Sequence, residues 1–166
     1  PLIEALARLR EEWQFVLVGP VARPLPDRRN VHARGPKSYE ALPRYLAGFD
    51  VALLPFVVND DTRFSPTAKA LECMAAGKPI VSTAIPDIVR PYGEIGLVYV
   101  GRTLSDFLAA IDEALRDQTT PRCTLYDAFL EGVSWDATFA RMHDIVERAA
   151  SEPRVRLVTE RFLTES

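Results

Sequence analysis

Between Ser65 and Gly77 the chain sets two hydroxyls, a lysine and a glutamate along what the residue pattern predicts to be one helix. Ser65 is a favoured N-cap and Pro66 suits the first helical position. Leu71, Met74 and Ala75 then form an apolar stripe, and Gly77 with Pro79 marks the stop. The first turn of a helix carries unbonded N–H groups and the positive end of the macrodipole, so Ser65 and Thr67 can hold an anionic group such as a diphosphate there. Lys69, one turn in, is within reach of a phosphate oxygen. Glu72 stands six residues beyond Pro66, roughly 9 Å along the axis at about 1.5 Å per residue. That is about the length of one nucleotide unit, and a carboxylate there can accept hydrogen bonds from two ribose hydroxyls while the diphosphate stays at the helix start. Plainer readings stand beside these: Ser65 as a simple cap, Lys69 as a solvated cation beside Glu72, and Glu72 as a solvated helix carboxylate.

The elements that must position this segment are legible as alternating helical and extended patterns. Leu2, Leu6 and Leu9 recur at helical spacing, and Phe15-Val16-Leu17-Val18 is a short apolar run closed by Gly19-Pro20. Residues 21 to 29, rich in proline and arginine, form a loop. Asn30 to Ala33 predicts a second strand ending at Gly35-Pro36, and Tyr39 to Gly48 a helix that Pro43 weakens. Val51 to Phe56, Pro79 to Thr83 and Gly96 to Val100 predict further strands. Leu104, Leu108, Ile111 and Leu115 define a helix from about Ser105 to Asp117, and Phe139, Met142, Ile145 and Val146 another after Trp135. Trp135, Phe139 and Met142 are expected in a core. Continuous rather than alternating apolar runs suit strands buried on both faces, so the fold class is α/β, a doubly wound Rossmann-like parallel sheet with helices on both faces. Ligands bind such sheets at the carboxyl ends of the strands. The loops to watch are Gly19-Pro20, Gly35 to Ser38, Phe56 to Thr67 and Thr83 to Asp87.

Composition removes several classes of function. A formal net charge of −3 across 166 residues supplies no broad basic surface for nucleic acid. Cys73 and Cys123 are too few and too far apart for a disulfide framework or a metal knot, which favours a reducing compartment. No Asp or Glu pair announces a metal site, and no apolar run reaches the length of a membrane span. His32 and His143 are expected to be structural.

The string from Ser65 to Thr83, SPTAKALECMAAGKPIVST, resembles the signature of the C-terminal domain of retaining GT-B glycosyltransferases of the group 1, family 4-like type. Phe15 to Pro20, the Asn30-Val31-His32 segment leading to Gly35, and Tyr45 to Pro55 resemble the family's other motifs in the same order. The match covers residues 1 to about 100 and fades beyond Gly101. This resemblance implies the C-terminal half of a GT-B fold, binding a nucleoside-diphosphate sugar as donor substrate with no separate cofactor and no metal. It implies that Glu72 holds the ribose, that Gly35, Pro36 and Lys37 lie beside the base near the Gly19-Pro20 turn, and that Ser65, Pro66, Thr67 and Lys69 face the diphosphate. One departure stands out: the first of two family glutamates, eight positions before Glu72, is Phe64 here.

The expected organisation is therefore a nucleotide-sugar-binding domain over residues 1–152, lacking its first strand, with a tail over 153–166. Its partners are a nucleoside-diphosphate sugar and an N-terminal acceptor domain outside this chain, with a homodimer through an open sheet edge as a further expectation. The implied setting is bacterial and cytoplasmic, with the inner-membrane surface as the alternative station of the full-length protein. Transfer of the sugar with retention belongs to the full-length enzyme, the chain alone being inactive. A noncatalytic glycosyltransferase-like module is the competing reading, and Phe64 is its main support. No residue presents itself as nucleophile or general base.

Overall fold

The computed structural model describes residues 1–21, 24–25, 27–60, 62, 68–117 and 121–151. Two units divide the chain, Pro1–Leu130 and Glu131–Ser166. In the first, helix α1 (Leu2–Leu9) leads to strands β1 (Phe15–Leu17) and β2 (Val31–Ala33), a tight turn over Tyr39–Ala41, and α2 (Leu42–Ala47). Strand β3 (Ala52–Leu54), helix α3 (Ala68–Ala75), strand β4 (Ile80–Thr83), a short α4 (Pro86–Ile88), strand β5 (Tyr99–Gly101), α5 (Leu104–Arg116) and α6 (Pro121–Glu131) follow. All strand pairs are parallel. They form a two-stranded sheet, β1-β2, and a three-stranded sheet in the order β3-β4-β5, with Ala52 opposite Ile80 and Val81 opposite Tyr99.

Alternation along the strands sends apolar side chains to two separate cores, which is why both faces carry helices. Val81 joins Leu6 and Ala7 of α1, Phe15, and Phe107, Ala110, Ile111 and Ala114 of α5. Its neighbour Ile80 joins Ala52, Leu54, Ala70, Cys73, Met74 and Tyr126 on the other face. Full burial of one such side chain contributes about 1.5–3 kcal/mol relative to exposure, so the Phe107 and Ile80 layers set the stability of this unit. The α/β architecture with helices on both faces is the one the apolar runs predict.

Local signals explain the boundaries. Pro43 occupies the second position of α2, where its absent N–H leaves no intrahelical bond unmade, so it starts the helix rather than weakening it. Helix α3 ends in a Schellman turn: Gly77, at φ +67°, donates to the Met74 carbonyl at 2.8 Å and Lys78 to that of Cys73 at 3.0 Å. Thr103 and Asp106 form a capping box at the start of α5. The predicted Gly96–Val100 strand is shifted to Tyr99–Gly101. Gly96 takes a left-handed turn at φ +76°, and Leu97 donates back to the Tyr92 carbonyl at 2.9 Å, so Leu97 and Val98 enter the core ahead of the ladder. Asn30 is buried, and its side-chain amide donates to the carbonyls of Ala7 (3.0 Å), Arg10 (3.2 Å) and Trp13 (3.1 Å), tying the end of α1 to the start of β2.

In the second unit, α7 (Trp135–Ser151) begins at Ser134, whose hydroxyl accepts the Ala137 N–H at 3.0 Å. Trp135, Phe139 and Met142 are 88%, 71% and 61% exposed, so the expected core placement of these residues is corrected: they form an apolar stripe on the surface of the helix. Among the described residues no helix is long and apolar enough to cross a membrane.

Candidate functional site

The carboxyl ends of the parallel strands carry the candidate loops. β1 leads to Gly19, with φ +135°, and β2 to Gly35, with φ +67°. The Gly19 N–H donates to the Gly35 carbonyl at 3.0 Å, so the two glycine turns are joined side by side. Among the described residues a Cβ added to either would meet nothing within 4 Å. Their glycines are required by backbone angle rather than by crowding.

Gly19, Pro20, Lys69 and Glu72 line one groove, which Pro55 at the end of β3 also lines. Four of the ten sequence-predicted site residues are thus brought to one surface, and Gly35 is attached to it through Gly19. The Lys37 ammonium lies 5.8 Å from the Tyr45 ring centroid, and Tyr45 lines the same groove. Pro36 connects Gly35 to Lys37. Ser65, Pro66 and Thr67 lie outside the described residues, as does Phe64. α3 is described from Ala68 onward.

On α3, Lys69 is exposed, Glu72 half-buried and Cys73 buried in the core. Burial, and next the negative charge of Glu72, push the Cys73 thiol up to about 11, with Lys69 acting in the opposite direction. Cys73 is therefore an inert thiol at neutral pH and no nucleophile. Among the described residues no group of three or more His, Cys, Asp or Glu is placed to hold a metal ion. His32 shares a hydrogen bond with Gln14 at 2.8 Å on the surface, and His143 lies 3.5 Å from Glu147.

Several positioning residues escaped the sequence reading. The Thr83 hydroxyl donates to the Phe56 carbonyl at 2.9 Å and that of Ser82 to the Leu54 carbonyl at 3.2 Å, clamping the end of β3 to β4 where the site begins. Beyond Phe56, the Asn59 side chain accepts the Thr62 N–H at 2.9 Å and the Thr62 hydroxyl binds the Val57 carbonyl, which folds this loop into a tight turn. Asp117, Tyr99 and Arg122 form a separate cluster: the Tyr99 hydroxyl donates to Asp117 at 2.6 Å, and Arg122 donates to Asp117 at 3.0 Å and to the Gly96 carbonyl at 3.2 Å. It fastens α6 to β5. Only Thr83 had a signal, its position at a predicted strand end; the Asp117 cluster depends on contacts that no local pattern encodes.

The family model described as glycosyl transferases group 1 matches residues 1–117. The chain is similar to the "Putative teichuronic acid biosynthesis glycosyltransferase TuaH" of Bacillus subtilis (strain 168), with 29% identity over 122 residues, 69% of this chain and 31% of that protein. It thus spans about a third of the length of this curated relative. No solved structure matches. With the family match covering both glycine turns and all of α3, the chain belongs to the group 1 glycosyl transferases.

Proposed function

We propose that this chain is the donor-binding domain of a glycosyltransferase, which holds a nucleoside-diphosphate sugar while the sugar passes with retention to an acceptor bound by another domain. The observation that carries the reading is the convergence of the joined Gly19 and Gly35 turns with Lys69 and Glu72 on one groove at the strand ends. In the proposed complex the base lies toward Gly35, Pro36 and Lys37, and the ribose hydroxyls donate to Glu72. The diphosphate lies toward Lys69 and the Ser65, Pro66 and Thr67 segment. Fixed N–H dipoles and a lysine would stabilise the charge that grows on the departing diphosphate, a contribution of the electrostatic kind. Two free cysteines, one of them exposed, accord with a cytoplasmic setting.

A second reading, a noncatalytic binding module, draws on Phe64 in place of the glutamate that the family pattern carries. Calorimetric titration of the chain with uridine, guanosine and adenosine diphosphates tests the proposal. Saturable binding of one of them at one site per chain is the expected result, and heats of dilution for all three would overturn it. Sugar transfer by the full-length protein separates the enzyme from the module.

A further inference from the structure

β3 and β4 end alike. Their ladder closes with Leu54 opposite Ser82, and each chain then bends through a three-residue turn of the γ type. Phe56 donates to the Leu54 carbonyl at 3.0 Å across Pro55, and Ile85 donates to the Thr83 carbonyl at 2.9 Å across Ala84. Pro55 suits the middle of the first turn, because its ring already holds φ at about −65°. Past the ladder, side-chain hydroxyls take over from the backbone. Ser82, fully buried, donates to the Leu54 carbonyl at 3.2 Å, and Thr83, half-buried, donates to the Phe56 carbonyl at 2.9 Å. The Thr83 bond therefore holds the connection from β3 to α3 at its root. At the far end α3 is held by packing, with Ala70, Cys73 and Met74 in the core that Leu54 and Ile80 share. Between the two, the Thr62 N–H donates to the Asn59 side chain at 2.9 Å and the Thr62 hydroxyl binds the Val57 carbonyl, bonds that stay within the connection.

We propose that Thr83 is a positioning residue for the donor: its hydroxyl sets where the connection leaves the sheet, and through the connection it sets residues 65–67 for the diphosphate. The proposal rests on the donor-binding reading given above, and it assigns Thr83 itself no contact with the donor. Thr83 and Phe56 are both half-buried, so water can replace a lost hydroxyl there at small cost in stability. What the bond supplies is a fixed path, and a binding segment that is held in place before the ligand arrives loses less freedom on binding. A three-residue turn pivots on one residue, so a change of direction at Phe56 is carried along the connection. Valine keeps the Cβ branching of threonine and its stiffness at χ1, which leaves the hydroxyl as the difference that matters.

The test titrates the 166-residue chain and its Thr83→Val and Thr83→Ser variants with the preferred nucleoside diphosphate by calorimetry, and with the parent nucleoside by NMR. Thr83→Val should weaken the diphosphate about five- to tenfold, the scale of one hydrogen bond, and Thr83→Ser should restore it to within about twofold. Nucleoside affinity should be the same in all three chains. Unchanged diphosphate affinity in the valine variant overturns the proposal and leaves the donor-binding reading in place. Equal losses for nucleoside and diphosphate overturn it too, because the whole groove has then shifted, as does a serine variant as weak as the valine one. Absence of diphosphate binding in the unaltered chain overturns the donor-binding reading and the role of Thr83 with it. If Thr83→Val does not fold, Thr83→Ala takes its place. Loss of the fold in both, with Thr83→Ser folded, makes the residue structural and is again the contrary result.

Discussion

The two sheets of the first unit are built from equally short parallel strands, yet they are held in different ways. β4 has a partner on each edge and buried side chains on both faces, with Ile80, Val81 and Ser82 all at 0% exposure. Among the described residues β1 and β2 pair only with each other: Phe15 is buried, Val31 and His32 are half-buried and Ala33 is exposed. What secures the smaller sheet is its attachment to α1, through Phe15 in the shared core and through Asn30. The contrast teaches that the stability of a three-residue ladder lies in the layers covering it, and that the candidate site straddles a firmly packed half and a lightly packed one.

Substitutions should separate the halves. Ile80→Ala removes a side chain from the core that β3 and β4 share with α3 and should cost about 2–5 kcal/mol, measured by urea unfolding. That is a large share of the typical stability of a domain. Asn30→Ala strips three carbonyls of their donor and should cost about 1–3 kcal/mol. Its exchange signature should be local, with the β1 and β2 amides speeding up while those of β4 hold. Equal costs for the two variants, or uniform acceleration of exchange, would erase the distinction.

Titration sharpens the same picture within the packed half. Burial and the hydrogen bond to Asp117 push Tyr99 up to about 12. A phenol whose folded pKa is raised contributes stability that is fully present below its unfolded value, about 10, and lost as pH rises through the folded value. Unfolding free energy should therefore fall between pH 10 and 12, and less steeply in Tyr99→Phe, where urea melts at stepped pH would show it. Identical slopes would remove Tyr99 from the account. A smaller readout is thiol labelling at pH 8. Cys123 is exposed and should react within minutes, whereas Cys73, raised to about 11, should react at least a hundredfold more slowly until the protein unfolds. Comparable rates would mean that the core around α3 opens readily.

Much of this was legible in the residues because the physics involved is local. Continuous apolar runs gave β1, β3 and β4, and Gly77 marked the end of α3 through the left-handed turn that it adopts. Leu104, Leu108, Ile111 and Leu115 placed α5 to within a residue or two of its observed bounds. The helical stretch over Pro86–Gly93 went unread because its turns are too short to show a period, and β5 was displaced because Leu97 and Val98 are buried without being paired. Trp135, Phe139 and Met142 show the limit of periodicity, since an apolar stripe states which face is sticky and not what covers it. Of the candidate site, residue types were readable and convergence was not. The bond from Gly19 to Gly35 and the shared groove with Glu72 are long-range facts, and the residues before Ala68 on the phosphate side lie outside the described chain.

The claim on which the account turns is that Glu72 is a ribose ligand and not a solvated helix residue, and calorimetric titration of wild-type and Glu72→Gln chains with the preferred nucleoside diphosphate tests it most directly. Hydrogen bonds to a charged acceptor contribute about 1.5–3 kcal/mol, so affinity should fall by roughly tenfold or more with the unfolding midpoint almost unmoved. The 2′-deoxy nucleotide, which already lacks one donor, should lose less than the ribonucleotide does. Equal losses for both nucleotides, or no loss for either, would contradict the assignment.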